Sequence, residues 1–400
     1  MKSPNRLPVG TNPRGKPKGS NGATRKTPEK IDKKINVEFK PAEIKNLKEK
    51  YGKELMIKVI KKYTWNLPEI KIFVTQFNVQ RAYLGKKMVA QAVHPELPQR
   101  GIFGNNLQSF IISLKNDFAG SDEKIPKFIE DITEELFSQQ AINNSIHRVG
   151  EFLEPDYKNL EKEVRESKVI GSDETGWRMN GEKWFLWLLC TMNIVFITIQ
   201  NSRSRTVLTK ILGTTYDGTI ISDCFTAYQK VAKYYQKCWS HLLRKTHSLA
   251  IEFKDKDIVK LHKYLSNLFN EMNNFLKNKP SLEEREKKYH KFNKKIGSVE
   301  KYAWKSKQAK DVVKNWLVKY KGHWLTAIRI PDVNLTNNDT ERHIRSSIPT
   351  RKLLGGHRTE EGTKYFAITE SLRKTWKLRG LSPYHEMIRK FEEINLNQAL

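Results

Sequence analysis

The chain has 400 residues, enough for two or three domains with a sizeable core. Lys plus Arg number 73 against 44 Asp plus Glu, so the formal net charge is +29. An enzyme acting on neutral metabolites has no use for such self-repulsion, and the excess points either to a polyanionic partner, above all nucleic acid, or to a Lys-rich solvated surface. Three cysteines, Cys190, Cys224 and Cys238, with no Cys-x-x-Cys pair, exclude a cysteine zinc finger and argue against a secreted disulfide scaffold. The N-terminus carries no apolar signal core.

Residues 1–35 read as a basic disordered arm, rich in Pro and Gly and too poor in apolar side chains to offset its ordering entropy. Its Lys16, Lys18 and Arg25 are candidate phosphate anchors. Residues 36–98 form a small helical and mixed region, with a helix expected over 40–62 and a small β-containing unit over 67–93. Residues 99–165 carry three apolar sets at helical spacing: Leu107 to Phe118, Ile125 to Leu136, and Ile142 to Phe152. The polar face of the third presents Gln139, Gln140, Asn143, Asn144, His147 and Arg148, groups that pair with base edges or phosphate. The region reads as a helix-turn-helix-like DNA-binding unit or as a plain helical subdomain.

From Lys168 the pattern becomes α/β. Val169–Asp173 is a short strand ending in a carboxylate, and Trp184–Cys190 and Ile194–Ile199 are the next two. The uncharged run Trp184–Ile199 is shorter than the roughly 20 residues of a membrane-spanning helix, and its β-branched and aromatic content fits two strands about a tight turn. A helix over 204–212, a strand from Thr219 to Asp223, a helix from Phe225 to Tyr235 and a brief strand from Gln236 to Trp239 follow. This alternation is that of an α/β layer fold. Residues 242–334 form a Lys-rich helical insertion with stripes at Leu261, Leu265, Leu268, Met272 and Phe275, then at Val312, Val313, Trp316, Leu317 and Tyr320, separated by the breaker Pro280. The α/β core then comprises residues 166–241 and 335–380, with a C-terminal helix in 381–400.

Two strands end in Asp173 and Asp223, and a third acidic cluster, Asn338-Asp339-Thr340-Glu341, opens a helix that Thr336 would cap and Pro349 would stop. Carboxylates at strand ends and a helix start converge readily in an α/β sheet, where three of them hold two hard cations such as Mg²⁺ or Mn²⁺ and stabilise both oxygens of a phosphodiester displacement. Strand-terminal Asp residues also cap helices without any catalytic task. Helical spacing puts Glu341 and Arg345 on one face. The stretch after Glu341 carries Arg342, Arg345, Arg351, Lys352 and Arg358 without an acid, a candidate phosphate clamp, although ion pairs with Glu360 or Glu361 would also account for it. His241, just before Arg244-Lys245, either lines a DNA path or is structural, and Trp177 either stacks on a base or packs against Trp184.

Specific motifs add to this. Ser172-Asp173-Glu174-Thr175-Gly176-Trp177-Arg178, then Ser222-Asp223-Cys224-Phe225-Thr226-Ala227-Tyr228, Cys238-Trp239-Ser240-His241, Asn338-Asp339-Thr340-Glu341-Arg342 and Gly355-Gly356-His357-Arg358 resemble, in order, the blocks of insertion-sequence transposases of family sixty-six. The resemblance spans about residues 100–380. It implies an RNase H-like catalytic domain of the DDE type with Asp173, Asp223 and Glu341 as catalytic and metal-binding residues, Glu341 rather than Asp339 because the acid directly precedes Arg342. It further implies cleavage of element ends and joining of the 3′ hydroxyl to target double-stranded DNA, by a homodimer on DNA, in a cytoplasmic, nucleoid-associated protein with no membrane contact. A catalytically silent DNA-binding derivative and an RNase H-like nuclease are the alternatives. Relatives commonly carry a cysteine-ligated zinc element before the core, whereas the stretch Gln76–Leu84 here has no cysteine.

Overall fold

The computed structural model describes residues 28–52 and 55–397. Lys16, Lys18 and Arg25 lie outside them. Two compact units divide the chain, the first ending at Lys71 and the second running from Ile72. In the first, helix α1 spans Pro41–Tyr51, starts on a proline and has no buried residue. It is shorter than the expected 40–62 helix: Gly52 adopts a positive φ directly after it, and residues 55–71 carry no regular structure.

The second unit opens with the hairpin β1 (Arg81–Leu84) and β2 (Lys87–Gln91), antiparallel and joined across its outer pair by Arg81 Nε donating to Gln91 Oε1 at 2.8 Å. This hairpin overlaps the cysteine-free stretch Gln76–Leu84 at Arg81–Leu84 and is held by backbone pairing. Helices α2 (Asn105–Asn116), α3 (Lys124–Thr133) and α4 (Gln139–Phe152) correspond to the three apolar sets, except that Phe118 of the first set falls beyond α2 and is exposed. Leu136, counted in the second set, falls beyond α3 and is exposed, because Glu134 leaves the helix in a left-handed conformation. A fourth helix, α5 (Glu154–Glu166), had no separate signal, since it follows α4 after Leu153 alone and buries only Leu160 and Val164.

The sheet comprises β3 (Val169–Met179), β4 (Glu182–Cys190), β5 (Val195–Gln200), β6 (Tyr216–Ser222) and β7 (Ala232–Lys237), with helix α6 (Arg205–Leu212) between β5 and β6. Strand order is β5-β4-β3-β6-β7; β3, β4 and β5 pair antiparallel, and β6 and β7 are parallel to β3. Two expectations are corrected here. Asp173 does not end its strand: β3 continues to Met179 because β4 pairs with it through Glu182. The helix expected over Phe225–Tyr235 is a single 3₁₀ turn, Thr226–Tyr228, after which Lys230 takes a positive φ and the chain extends into β7 beside β6.

The insertion is helical as expected: α7 (Trp239–Phe253), α8 (Lys256–Lys277), α9 (Leu282–Lys301), α10 (Lys307–Val312) running into a π turn to Val318, and the short α11 (Thr326–Arg329). Leu261, Leu265, Leu268 and Met272 meet Phe292, Ile296, Val312, Val313 and Leu317 in a core of its own, which reaches the sheet through Ile221. α12 (Asn338–Leu354), α13 (Glu360–Leu378) and α14 (Pro383–Leu396) close the unit. Pro349 does not stop α12, which continues through it to Leu354, and the helix begins after Asn337 without a side-chain cap, so Thr336 does not cap it.

Helix α13 is buried on most of its sides and seals the free edge of β5. The Val195 N–H donates to Thr375 Oγ1 at 3.0 Å and the Ile197 N–H to Ser371 Oγ at 2.9 Å, so hydroxyls replace the missing neighbour strand. Residues of α2, α3, α4 and α5 share one core with the sheet and α13. Among the described residues no helix is long and apolar enough to cross a membrane.

Candidate active site

Side-chain alternation along β3 sorts its acids. The face carrying Gly171, Asp173, Thr175 and Trp177 is turned to α12 and α13: Arg351 of α12 donates to Thr175 Oγ1 at 2.9 Å, and Trp177 stacks on Phe366 of α13 at 5.4 Å. Glu174, one residue on, points to the other face. There Arg203 holds Oε1 through two nitrogens, at 3.0 and 2.6 Å, and the Tyr228 hydroxyl donates to Oε2. Glu174 is thus a structural carboxylate. Its pKa is raised, first by burial, and the two partners counter that. Tyr228→Phe leaves one carboxylate oxygen without its donor inside the core and is expected to lower stability by about 2 kcal/mol, read from urea unfolding.

Asp173 sits within this frame with its Oδ1 accepting the Glu174 N–H at 2.9 Å. Its pKa is pushed up to about 7, chiefly by burial, then by the charges of Glu174, Asp223 and Glu341. The parallel pairing of β3 with β6, with Gly171 opposite Ile221, and the Asn337 amide on the Ser172 carbonyl at 2.8 Å set the second and third predicted acids at the same end of the sheet as the first. Asp223 follows β6 directly, and its Oδ1 accepts the Phe225 N–H at 2.9 Å. Lys237, fully buried at the end of β7, donates to the Asp223 carbonyl at 2.7 Å and lies over the Tyr320 ring at 5.2 Å. Burial lowers its pKa, and its role in fixing the Asp223 backbone had no signal in the sequence.

Glu341 lies in the first turn of α12 and is 7% exposed. Each oxygen has a guanidinium: Arg244 Nη2 at 2.7 Å from Oε1 and Arg345 Nη2 at 2.8 Å from Oε2. The face shared by Glu341 and Arg345 is as helical spacing requires. Arg244 lies in α7, and at a separation of 97 residues from Glu341 no local spacing in the sequence connects the two. Ser240, Leu243, Arg244, Asn338, Glu341, Arg342 and Arg345 line a cleft of about 560 Å³, with the carboxylate among three arginines.

The remaining basic residues are spread more widely. Arg342 is exposed and pairs with Asp339 at 3.2 Å, while Lys352 and Arg358 are exposed. Arg351 is engaged on the Thr175 hydroxyl and, at 2.7 Å, the Gly176 carbonyl, so it ties α12 to β3. Arg148 is half-buried against Gly101, with its Nε hydrogen unpartnered. His241 lies 3.6 Å from Glu341 Oε1, in the acid cluster. Trp177 is 2% exposed between Phe366 and His357, which removes it as a base-stacking platform. The Gly355-Gly356-His357 loop adds one bridge to the end of β3, and Gly356 is required because a Cβ there would lie 2.1 Å from the Arg178 carbonyl oxygen.

A mixed sheet, acids that are half-buried or buried at its end, and an arginine-lined cleft are chemistry that suits a polyanionic partner. Residues 100–365 match the model of the Transposase IS66 family, more than half of the chain. The chain belongs to that family, whose members process DNA. No curated protein matches the chain.

The donor set fits hard divalent cations. Asp173, Asp223 and Glu341 offer oxygen only, and the charges of Asp223 and Glu341, which add to burial and to Glu174 in raising the Asp173 carboxyl, are what a cation would offset.

Proposed function

We propose that the chain is an active DDE transposase with an RNase H-like catalytic domain, which cuts the ends of its element and joins the 3′ hydroxyl to double-stranded target DNA. The observation that supports the reading is topological: β3 and β6 pair in parallel with Gly171 opposite Ile221, and Asn337, just before the helix of Glu341, donates to the Ser172 carbonyl at 2.8 Å, which brings Asp173, Asp223 and the start of α12 to one end of the sheet. The sheet order supports the fold, with three antiparallel strands followed by two that run parallel to the first.

In this reading Asp173, Asp223 and Glu341 hold Mg²⁺ or Mn²⁺. When bound, the ions supply Lewis-acid stabilisation of the oxygens at the scissile phosphodiester. The chain itself positions the DNA. Arg342, Arg345 and Arg244 draw the backbone into the cleft, with Lys352 and Arg358 beyond it. Arg148 and the α4 face, with the basic arm that includes Lys16, Lys18 and Arg25, supply further phosphate contacts. Arg244 and Arg345 neutralise Glu341 in the free protein, and their half-exposed side chains turn to phosphate as DNA enters. Two ends must be joined, so the working form is a homodimer on DNA, in a nucleoid-associated cytoplasmic protein.

The test is incubation of the full-length chain with oligonucleotide element ends and supercoiled plasmid. Joined products are expected with Mg²⁺ or Mn²⁺ and none with a chelator, and binding should weaken steeply with salt. Cutting without joining would assign a nuclease instead, and binding with neither reaction a silent DNA-binding derivative.

A further inference from the structure

The starts of α7 and α12 are tied together. The Asn337 N–H donates to Cys238 Sγ at 3.2 Å, and the Trp239 N–H to the Leu335 carbonyl at 3.0 Å. Cys238 caps α7 and His241 lies in its first turn, while Glu341 lies in the first turn of α12. One thiol, one imidazole and one carboxylate thereby meet, with a ligand atom of each within 4.8 Å of the others. The Nδ1 of His241 is buried and makes no hydrogen bond, although it lies 3.6 Å from Glu341 Oε1. Ligands of a tetrahedral Zn²⁺ with bonds of about 2.0–2.3 Å lie roughly 3.3–3.7 Å apart. The imidazole and carboxylate already have that spacing.

We infer that Cys238, His241 and Glu341 form a site for a borderline-soft divalent ion of the Zn²⁺ class, distinct in chemistry from the all-oxygen set and sharing Glu341 with it. Sulfur and imidazole favour Zn²⁺ or Co²⁺ over Mg²⁺. As the Sγ–metal bond forms, the thiol proton passes to solvent. Arg244 is the competitor. Its guanidinium occupies Glu341 Oε1 and faces His241 Nε2 at 3.3 Å, so an ion at this site displaces it toward solvent. An ion here also withdraws Glu341 from Asp173 and Asp223 and stops joining, a consequence that rests on the transposase reading.

The experiment is a Co²⁺ titration of the metal-free, full-length chain, read by the thiolate-to-cobalt charge-transfer absorption. One equivalent is expected to give the band, Cys238→Ser to abolish it and Cys224→Ser to retain it. His241→Ala is expected to weaken binding at least about tenfold, the loss that removal of an outer-shell partner alone can produce. Arg244→Gln is expected to tighten it, a gain that misfolding does not mimic. Absence of the band in the parent chain, its survival in Cys238→Ser, or an affinity unchanged by both His241→Ala and Arg244→Gln overturns the site. Asp173→Asn keeps the band, so the band in a chain that joins no DNA still supports the site while the transposase reading fails separately.

Discussion

Asp173→Asn is expected to lower DNA joining by more than about a hundredfold while leaving salt-sensitive DNA binding in place, because one charged ligand of the acid set is lost and no arginine of the cleft is touched. The same change should make the metal-free protein more stable at neutral pH. The Asp173 carboxyl titrates at about 7 in the folded chain against 3.8 ordinarily. Between those values the folded state holds a proton that the unfolded state has released, so stability falls as pH rises through that window. Above about pH 7 both states are ionised and the whole penalty is present. Below about pH 4 both are protonated and it vanishes. Removing the charge should therefore raise stability by about 2 kcal/mol at pH 8, with the gain shrinking to nothing near pH 3. Urea unfolding of both proteins across pH, with chelator, measures it, and a variant less stable than its parent at pH 8 would contradict the desolvation of this half-buried carboxylate among like charges. Retained joining would remove Asp173 from the catalytic set.

Gly171→Val should strike the same site through packing. A Cβ at Gly171 would lie 2.1 Å from Thr340 Oγ1 and 2.8 Å from Asn337 Oδ1, both at the start of the helix that carries Glu341. Asn337 also donates to the Ser172 carbonyl at 2.8 Å, so the helix start is fixed against β3. A larger residue must push α12 off the strand. The expected result is a loss of about 3 kcal/mol in stability together with a fall in joining of at least tenfold. Gly176→Ala, on the exposed stretch of the same strand, has no close neighbour but the Arg351 guanidinium at 4.0 Å, and should change stability far less. Equal losses in the two variants would show that the close approach of α12 does not govern the site.

The pattern of the chain was legible where local physics dominates. Apolar spacing marked α2, α3, α4 and the insertion helices, and β-branched runs marked β4 and β5. It misled where a tertiary partner overrode it. β3 runs past Asp173 because β4 pairs with it from Gly171 to Met179, and α12 runs through Pro349 because its far end is anchored on β3 by Arg351. Likewise Tyr235 and its neighbours extend as β7, since β6 offers a parallel edge.

The motif order and the three acids were therefore written in the sequence, as was the basic excess that draws a polyanion. Which acid of the Asp173-Glu174 pair faces the site was decided by strand parity combined with the position of α12, and Arg203 and Tyr228 are what commit Glu174 to the core. The neighbours of Glu341 were decided likewise: Arg244, Cys238 and His241 lie about a hundred residues earlier, and only the joining of two helix starts brings Arg244 into hydrogen-bond distance and Cys238 and His241 within 4.8 Å. Periodicity reports which side of an element is apolar. It carries no information on which distant element will cover that side, because that choice depends on packing energy summed over the whole core.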